Sequence, residues 1–105
     1  MTDTGVWADI ERIVDWLDAE TPEDGRLMAR VLKITEEVGE VSEALIGATA
    51  FNPRKGASHT MTDVEKELND VILTAMVALR TVTKEAGASF EDHLRGVVVR
   101  AGLTG

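Results

Sequence analysis

The sequence predicts an all-α fold, an antiparallel bundle of about four helices that forms one domain over residues 1–105. Apolar side chains recur every three or four residues over most of the chain, as they do on the buried face of a helix. Tyr is absent and aromatic residues make up only 4% of the chain, which is few for an all-β domain. Both prolines, Pro22 and Pro53, fall where the helical periodicity breaks.

The first two helices are predicted over residues 5–19 and about 22–46. The first has an apolar stripe of Val6, Ile10, Ile13 and Leu17. The second has a stripe of Leu27, Val31, Ile34, Val38, Val41 and Leu45. Thr21 is followed by proline and two acidic residues, which predicts that it is the N-cap of the second helix. Gly47 is the predicted terminator of this helix.

The third and fourth helices follow a segment without periodicity, residues 47–61, which we expect to be a loop. Thr62 and Glu65 have the spacing of a capping box and open the third helix, which is expected to end near Ala86. Ser89 is the predicted cap of a short fourth helix.

The third helix predicts that the bundle is completed by homo-oligomerisation. From Val71 to Leu79 the sequence is VILTAMVAL, in which Thr74 has the only polar side chain. A helix that is apolar on every side is buried on every side. A chain of 105 residues with three other helices can hardly surround it alone, so we expect a homodimer or homotetramer. The alternative is that it forms the central helix of a monomeric bundle.

The composition excludes several classes of function. The net charge of −8 argues against binding to nucleic acid, which depends on basic side chains. Without Cys, the chain has no thiolate metal site and no thiol nucleophile. The N-terminus does not resemble a signal peptide, and no apolar run approaches the roughly 20 residues of a membrane helix. We therefore expect a cytoplasmic protein that does not bind membranes.

Two pairs of acidic residues, one on each of the two central helices, form the candidate site. The pairs are Glu37 with Glu40 and Glu67 with Asp70, each with the i, i+3 spacing that places side chains on one side of a helix. At about 100° per residue, all four lie on the flank of the apolar stripe, near the line where two packed helices meet. Glu36 lies further round the second helix, facing away.

The two pairs are also expected to lie at the same height in the bundle. If the helices form a hairpin around the loop, the midpoints of the pairs lie about 13 Å and about 10 Å from its loop end. Four carboxylates at one level would repel one another strongly unless they shared a cation. Their oxygen atoms favour Mg²⁺, with Mn²⁺ as an alternative. The competing interpretation is a solvated acidic helix face without a ligand.

The acidic pattern resembles that of a known enzyme family. EEVGE at residues 36–40, then 26 residues, then ELND at residues 67–70 is similar to the EExxE and ExxD motifs of the MazG-like all-α nucleoside triphosphate pyrophosphohydrolases. The resemblance covers roughly residues 27–83. It implies a helical homo-oligomer that uses metal-activated water to cleave an NTP or dNTP into the monophosphate and pyrophosphate.

The resemblance also assigns roles to individual residues. It implies that magnesium is coordinated by Glu37, Glu40, Glu67 and Asp70. It assigns Glu40 and Glu36 to catalysis, Glu36 as a support for the metal ligands or as a base that orients water. Lys33 lies on the same flank of the helix, at about −140° around the helix axis from Val38 at the centre of the apolar stripe. There it can contact a phosphate. Arg54 and Lys55, two adjacent cations in the loop, are further candidates for binding the substrate phosphates.

Two other functions are open on the sequence alone. Phosphoribosyl-ATP pyrophosphohydrolase is a relative with the same helical fold and similar acidic motifs, and it differs in its substrate. A helical oligomerisation module without catalytic activity would keep the fold but not the turnover. The residues themselves do not indicate which base or sugar is preferred.

Overall fold

The computed structural model describes residues 5–51, 54 and 56–103, and these contain four α-helices and no β-strand. The helices are α1 (Val6–Glu20), α2 (Arg26–Thr49), α3 (Met61–Val82) and α4 (Ala86–Arg100). The predicted all-α class and the four helices are therefore confirmed. No helix in the described ranges has both the length and the apolar character that crossing a membrane requires.

Helices α2 and α3 form an antiparallel hairpin. Near the open end, Arg30 of α2 donates a hydrogen bond to the Thr81 hydroxyl of α3 over 3.0 Å. Near the loop end, the Ser58 amide donates to the Gly47 carbonyl over 3.1 Å. Residues early in α2 therefore lie beside residues late in α3, and the two predicted acidic pairs fall between these contacts.

Helix α1 packs against α3 and supplies much of the core. Ile10 and Val14 of α1 and Val77 of α3 are buried together. Partly buried Trp7, Ile13, Leu17 and Met76 surround them. Trp7 also contacts α4, where its ring centroid lies 6.5 Å from that of Phe90. Trp16, on the opposite side of α1, is 65% exposed.

Helix α2 begins and ends later than the sequence predicts. Its N-cap is Gly25, not Thr21, and Gly25 adopts a left-handed conformation with φ of 78° that favours glycine. The Arg26 guanidinium explains the delay, because it binds the Thr21 carbonyl over 2.7 Å and holds residues 21–25 in a turn. Gly47 does not terminate the helix, which continues to Thr49 and ends with Ala50 in the left-handed conformation.

Helix α3 begins at Met61, one residue before the predicted cap Thr62, and it ends at Val82, four residues before the predicted end near Ala86. Thr60, not Thr62, is the N-cap, and it forms a reciprocal capping box with Asp63. The hydrogen bond from the Thr60 amide is the main cause that lowers the pKa of Asp63. At the other end, extended Thr83 stops the helix, and its hydroxyl accepts a hydrogen bond from the Glu85 amide over 3.1 Å. Helix α4 therefore begins at Ala86, three residues before the predicted cap Ser89.

Candidate metal site

The acidic residues of α2 differ sharply in their exposure. The side chain of Glu37 is only 11% exposed, because it lies on the face of α2 that packs against α3. Glu36, one residue earlier, projects away from α3 with a side chain that is 69% exposed. Adjacent residues on a helix point about 100° apart, so only one member of the pair can face the neighbouring helix. Of these two acidic residues, Glu37 is therefore the one that faces α3.

The structure brings Glu37 together with the acidic pair of α3. One carboxylate oxygen from each of Glu37, Glu67 and Asp70 lies within 4.8 Å of the others. Glu67 is mostly buried and Asp70 is partly exposed, with side-chain exposures of 20% and 40%. The three carboxylates concentrate negative charge at the contact between α2 and α3, and we call them the acidic cluster.

Glu40 lies beside the acidic cluster, one turn after Glu37. A hydrogen bond with Glu37, and then the negative charge of Glu37, raise the pKa of the Glu40 carboxyl above its ordinary value. Glu67 acts in the same direction across the hairpin. The negative charges of Glu37 and Glu67 thus oppose the ionisation of Glu40.

Two lysines partly balance the acidic charge. Lys33 lies 3.6 Å from both the Glu36 and the Glu37 carboxylates, and their negative charge raises its pKa. The sequence reasoning missed Lys66, which lies 3.5 Å from Glu67 and 3.3 Å from Asp70. Its i, i+4 spacing to Asp70 was the available signal. Both lysines are mostly exposed, so their contribution to stability is small.

The donor atoms of the acidic cluster suit a hard divalent cation. With the carboxylates ionised, Glu67 Oε2 is buried and has no hydrogen-bond partner among the described residues. A buried carboxylate oxygen without a partner is costly, and a metal ion would satisfy it. The group offers only oxygen ligands, which Mg²⁺ and Mn²⁺ prefer over softer metals. The residues therefore fit such an ion.

The loop cations lie apart from these residues along the chain. Arg54 is exposed in the segment after α2, and the end of α2 lies about 18 Å along the helix from Glu37. Lys55 lies outside the described residues. The role of both residues in substrate binding stays a prediction.

Comparison with known proteins identifies the family. The model of the MazG nucleotide pyrophosphohydrolase domain matches residues 27–100, which contain the whole α2–α3 hairpin except the first residue of α2. The chain matches none of the curated proteins and none of the solved structures with which it was compared. Because the family match covers well over half of the chain, the protein belongs to the MazG nucleotide pyrophosphohydrolase domain family.

Proposed function

We propose that the protein is a Mg²⁺-dependent nucleoside triphosphate pyrophosphohydrolase, which converts an NTP or dNTP into the monophosphate and pyrophosphate. The observation that carries the proposal is the convergence of Glu37, Glu67 and Asp70, with one buried oxygen atom left unpaired. Membership of the MazG family supports the choice of reaction. The acidic cluster alone would be compatible with other uses of a bound divalent cation.

Glu37, Glu67 and Asp70 would hold the ion, with Glu40 as a fourth ligand at the edge of the acidic cluster. Bound Mg²⁺ would neutralise the phosphate charge and lower the pKa of a coordinated water molecule. Mn²⁺ has the same preference for oxygen ligands and would occupy the same residues.

The protein's own side chains would position the substrate and move a proton. Glu40, one turn after Glu37 at the edge of the acidic cluster, would accept a proton from water through a carboxylate oxygen that is not bound to the ion. Lys33 and Lys66 would exchange their ion pairs with glutamates for contacts with phosphate oxygens. Glu36 would orient Lys33, whose ammonium group lies 3.6 Å from it.

The reaction is tested by incubating the protein with Mg²⁺ and a panel of NTPs, dNTPs and phosphoribosyl-ATP. We expect at least one NTP or dNTP to yield the monophosphate and pyrophosphate, and we expect EDTA to abolish the yield. Chromatography of the nucleotide products distinguishes this cleavage from release of a single phosphate. Cleavage of phosphoribosyl-ATP alone would identify the relative with that activity, and no cleavage of any compound would contradict the proposal.

We further propose that the working form is a homodimer or homotetramer. The radius of gyration of the chain is 17.1 Å, whereas a compact domain of this length has about 13 Å. Large apolar side chains on the central hairpin are exposed, among them Met28 at 69% and Ile72 at 56%. A single chain thus leaves apolar surface on α3 that the sequence reasoning expected to be buried.

The assembly is tested by light scattering coupled to size-exclusion chromatography. We expect a mass of at least twice the 11.4 kDa of one chain, and we expect Ile72→Glu to lower it towards that of the monomer. A glutamate at the centre of an apolar interface is strongly unfavourable because its charge loses contact with water. A wild-type protein that remains monomeric at about 50 μM would overturn this proposal, because interfaces of obligate oligomers bind more tightly than that.

A further inference from the structure

Helix α4 is packed against the rest of the chain at its first turn. Ala86 is buried there, and the ring centroid of Phe90 lies 6.5 Å from that of Trp7 on α1. Further along the helix, Leu94 and Val97 are 50% and 42% exposed. Across the described ranges, no side chain of α4 forms a hydrogen bond or an ion pair with another helix. The second half of α4 is therefore held by few contacts within its own chain.

A helix such as α4 needs a partner surface to be stable. It has 15 residues, and its N-cap forms no side-chain hydrogen bond. Two glycines and three consecutive valines lower its helix propensity. Isolated helices shorter than about 12–15 residues are marginal in water, and in proteins most of the helix stability comes from packing of an apolar face. The exposed part of α4 is therefore expected to pack against another surface.

The exposed apolar side chains of α4 lie in one stripe with an ordered pair of charges beside it. At about 100° per residue, Phe90, Leu94 and Val97 fall within an arc of about 60°. Glu91 and Arg95 lie on one flank of this arc, at about 60° and about 100° from Leu94. Both are exposed, and neither forms an ion pair within the part of the chain that the structure describes. One flank thus presents a negative charge followed by a positive charge.

We infer that α4 pairs in antiparallel orientation with α4 of a second copy of this chain. The surface that meets its counterpart consists of Phe90, Leu94 and Val97 together with Glu91 and Arg95, and we call it the α4 face. The inference rests on the homo-oligomer in the proposed function and adds to it the surface through which two copies meet.

The order of the charges selects the antiparallel orientation. In an antiparallel pair with a two-fold axis, the same flank of each helix meets, so Glu91 faces the partner subunit's Arg95 and Arg95 faces the partner subunit's Glu91. The opposed helix dipoles also attract each other. In a parallel pair, this flank would instead meet the opposite flank, which bears His93 and Arg100. Arg95 would then lie beside another positive charge.

The register that pairs the charges also brings the apolar side chains together. When Glu91 is level with the partner subunit's Arg95, the two copies of Leu94 are offset by about 3 Å along the helix axes. Phe90 then lies within about 1.5 Å of the level of the partner subunit's Val97. One register therefore satisfies both the charges and the stripe. A foreign partner would not require the α4 face to be complementary to itself, so this property favours a second copy.

Disulfide cross-linking tests the contact, because the chain has no Cys of its own. Leu94→Cys should form a disulfide-linked dimer in oxidised glutathione, since its two copies lie near each other at the two-fold axis. Val99→Cys is the matched control, at a position that is 56% exposed and about 140° from Leu94 around the helix. We expect Leu94→Cys to cross-link at least about tenfold faster, because pairing raises the effective concentration of its thiols. Equal rates would overturn the inference.

Charge reversal tests the register of the pair. In the Leu94→Cys background, Glu91→Arg or Arg95→Glu places like charges opposite one another, and we expect each to slow cross-linking at least about tenfold. In an equimolar mixture, the arginines of one chain face the glutamates of the other. We expect the mixture to form the mixed disulfide dimer at close to the rate of Leu94→Cys alone. Substitutions that only weakened the helix would not be rescued by mixing, so a mixture that stays slow would contradict the antiparallel pairing.

The outcomes separate the α4 contact from the proposed function. An oligomer by light scattering whose Leu94→Cys variant does not cross-link would support the oligomer and contradict the α4 contact, because the α4 face would then meet a different surface. Cross-linking with rescue by mixing, in a protein that releases pyrophosphate from no nucleotide, would support the α4 contact and contradict the hydrolase.

Discussion

Glu67→Gln is expected to reduce pyrophosphate release at least about 1,000-fold while stabilising the metal-free protein. The catalytic loss follows because Gln keeps the shape of Glu67 but lacks the charge that a divalent ion requires, and metal catalysis contributes several kcal/mol. The gain in stability follows because one of three converging carboxylates becomes neutral. Its new amide can donate to the Glu37 or Asp70 carboxylate, a type of hydrogen bond worth about 1.5–3 kcal/mol.

The two opposite effects are measured by separate experiments. The rate of pyrophosphate release gives the catalytic loss, and thermal unfolding in EDTA gives the change in stability. Added Mg²⁺ should raise the melting temperature of the wild type, since a ligand that binds only the folded state stabilises it. It should leave the melting temperature of Glu67→Gln nearly unchanged.

Glu65→Gln is the matched control, because Glu65 is exposed on the same helix and is not part of the acidic cluster. It should keep the wild-type rate and the wild-type response to Mg²⁺. A Glu67→Gln variant with full activity would refute the role of Glu67 as a metal ligand. A variant that is inactive and also less stable in EDTA would show that Glu67 supports the fold and would contradict the expected repulsion.

The acidic cluster could be predicted from sequence because its geometry depends on few quantities. The i, i+3 spacing of Glu67 and Asp70 fixes their relative direction on α3, and the hairpin fixes their height relative to Glu37. Errors of a few residues at the helix ends change these heights by only a few ångströms. The predicted convergence therefore withstands errors at either end of α2.

The helix ends were harder to predict because they depend on contacts between distant residues. Thr21 has the sequence features of an N-cap, yet its carbonyl accepts from Arg26 and the helix starts at the left-handed Gly25. At the start of α3, both Thr60 and Thr62 are followed three residues later by an acidic residue. Local pattern alone does not choose between two such caps, whereas the structure selects Thr60.

A cavity of about 380 Å³ between α1, α2 and α3, lined by Lys33 and Thr74 among others, could not be predicted from sequence for a related reason. Its walls come from three helices, and the position of α1 on α3 is set by packing of Ile10 and Val14 against Val77. The periodicity of α1 identifies its apolar face but not the height at which it docks. Arg30 lies on the flank of the apolar stripe of α2, and the sequence does not show that its side chain is buried.

The sequence predicts that Gly47 ends α2, whereas the structure places it inside that helix, and this difference changes the expected effect of substituting it. As a helix terminator it would need only conformational freedom, but it lies inside α2 and is buried against the chain that returns from the loop. A Cβ added there would collide with Ser58 Oγ and His59 Nδ1. The Ser58 amide is also bound to the Gly47 carbonyl over 3.1 Å, so this part of the loop cannot move away freely.

Gly47→Ala is therefore expected to destabilise the protein, although alanine is the better helix former by about 1 kcal/mol. The collision costs about 1–3 kcal/mol and outweighs this gain, because Ser58 is held by its backbone hydrogen bond and His59 is partly buried. Gly39→Ala on the same helix is the matched comparison, since an added Cβ meets nothing within 4 Å there. It should stabilise by about 0.5–1 kcal/mol. Urea unfolding of both variants measures the difference, and equal stabilisation by both would show that Ser58 and His59 do not pack against α2 in solution.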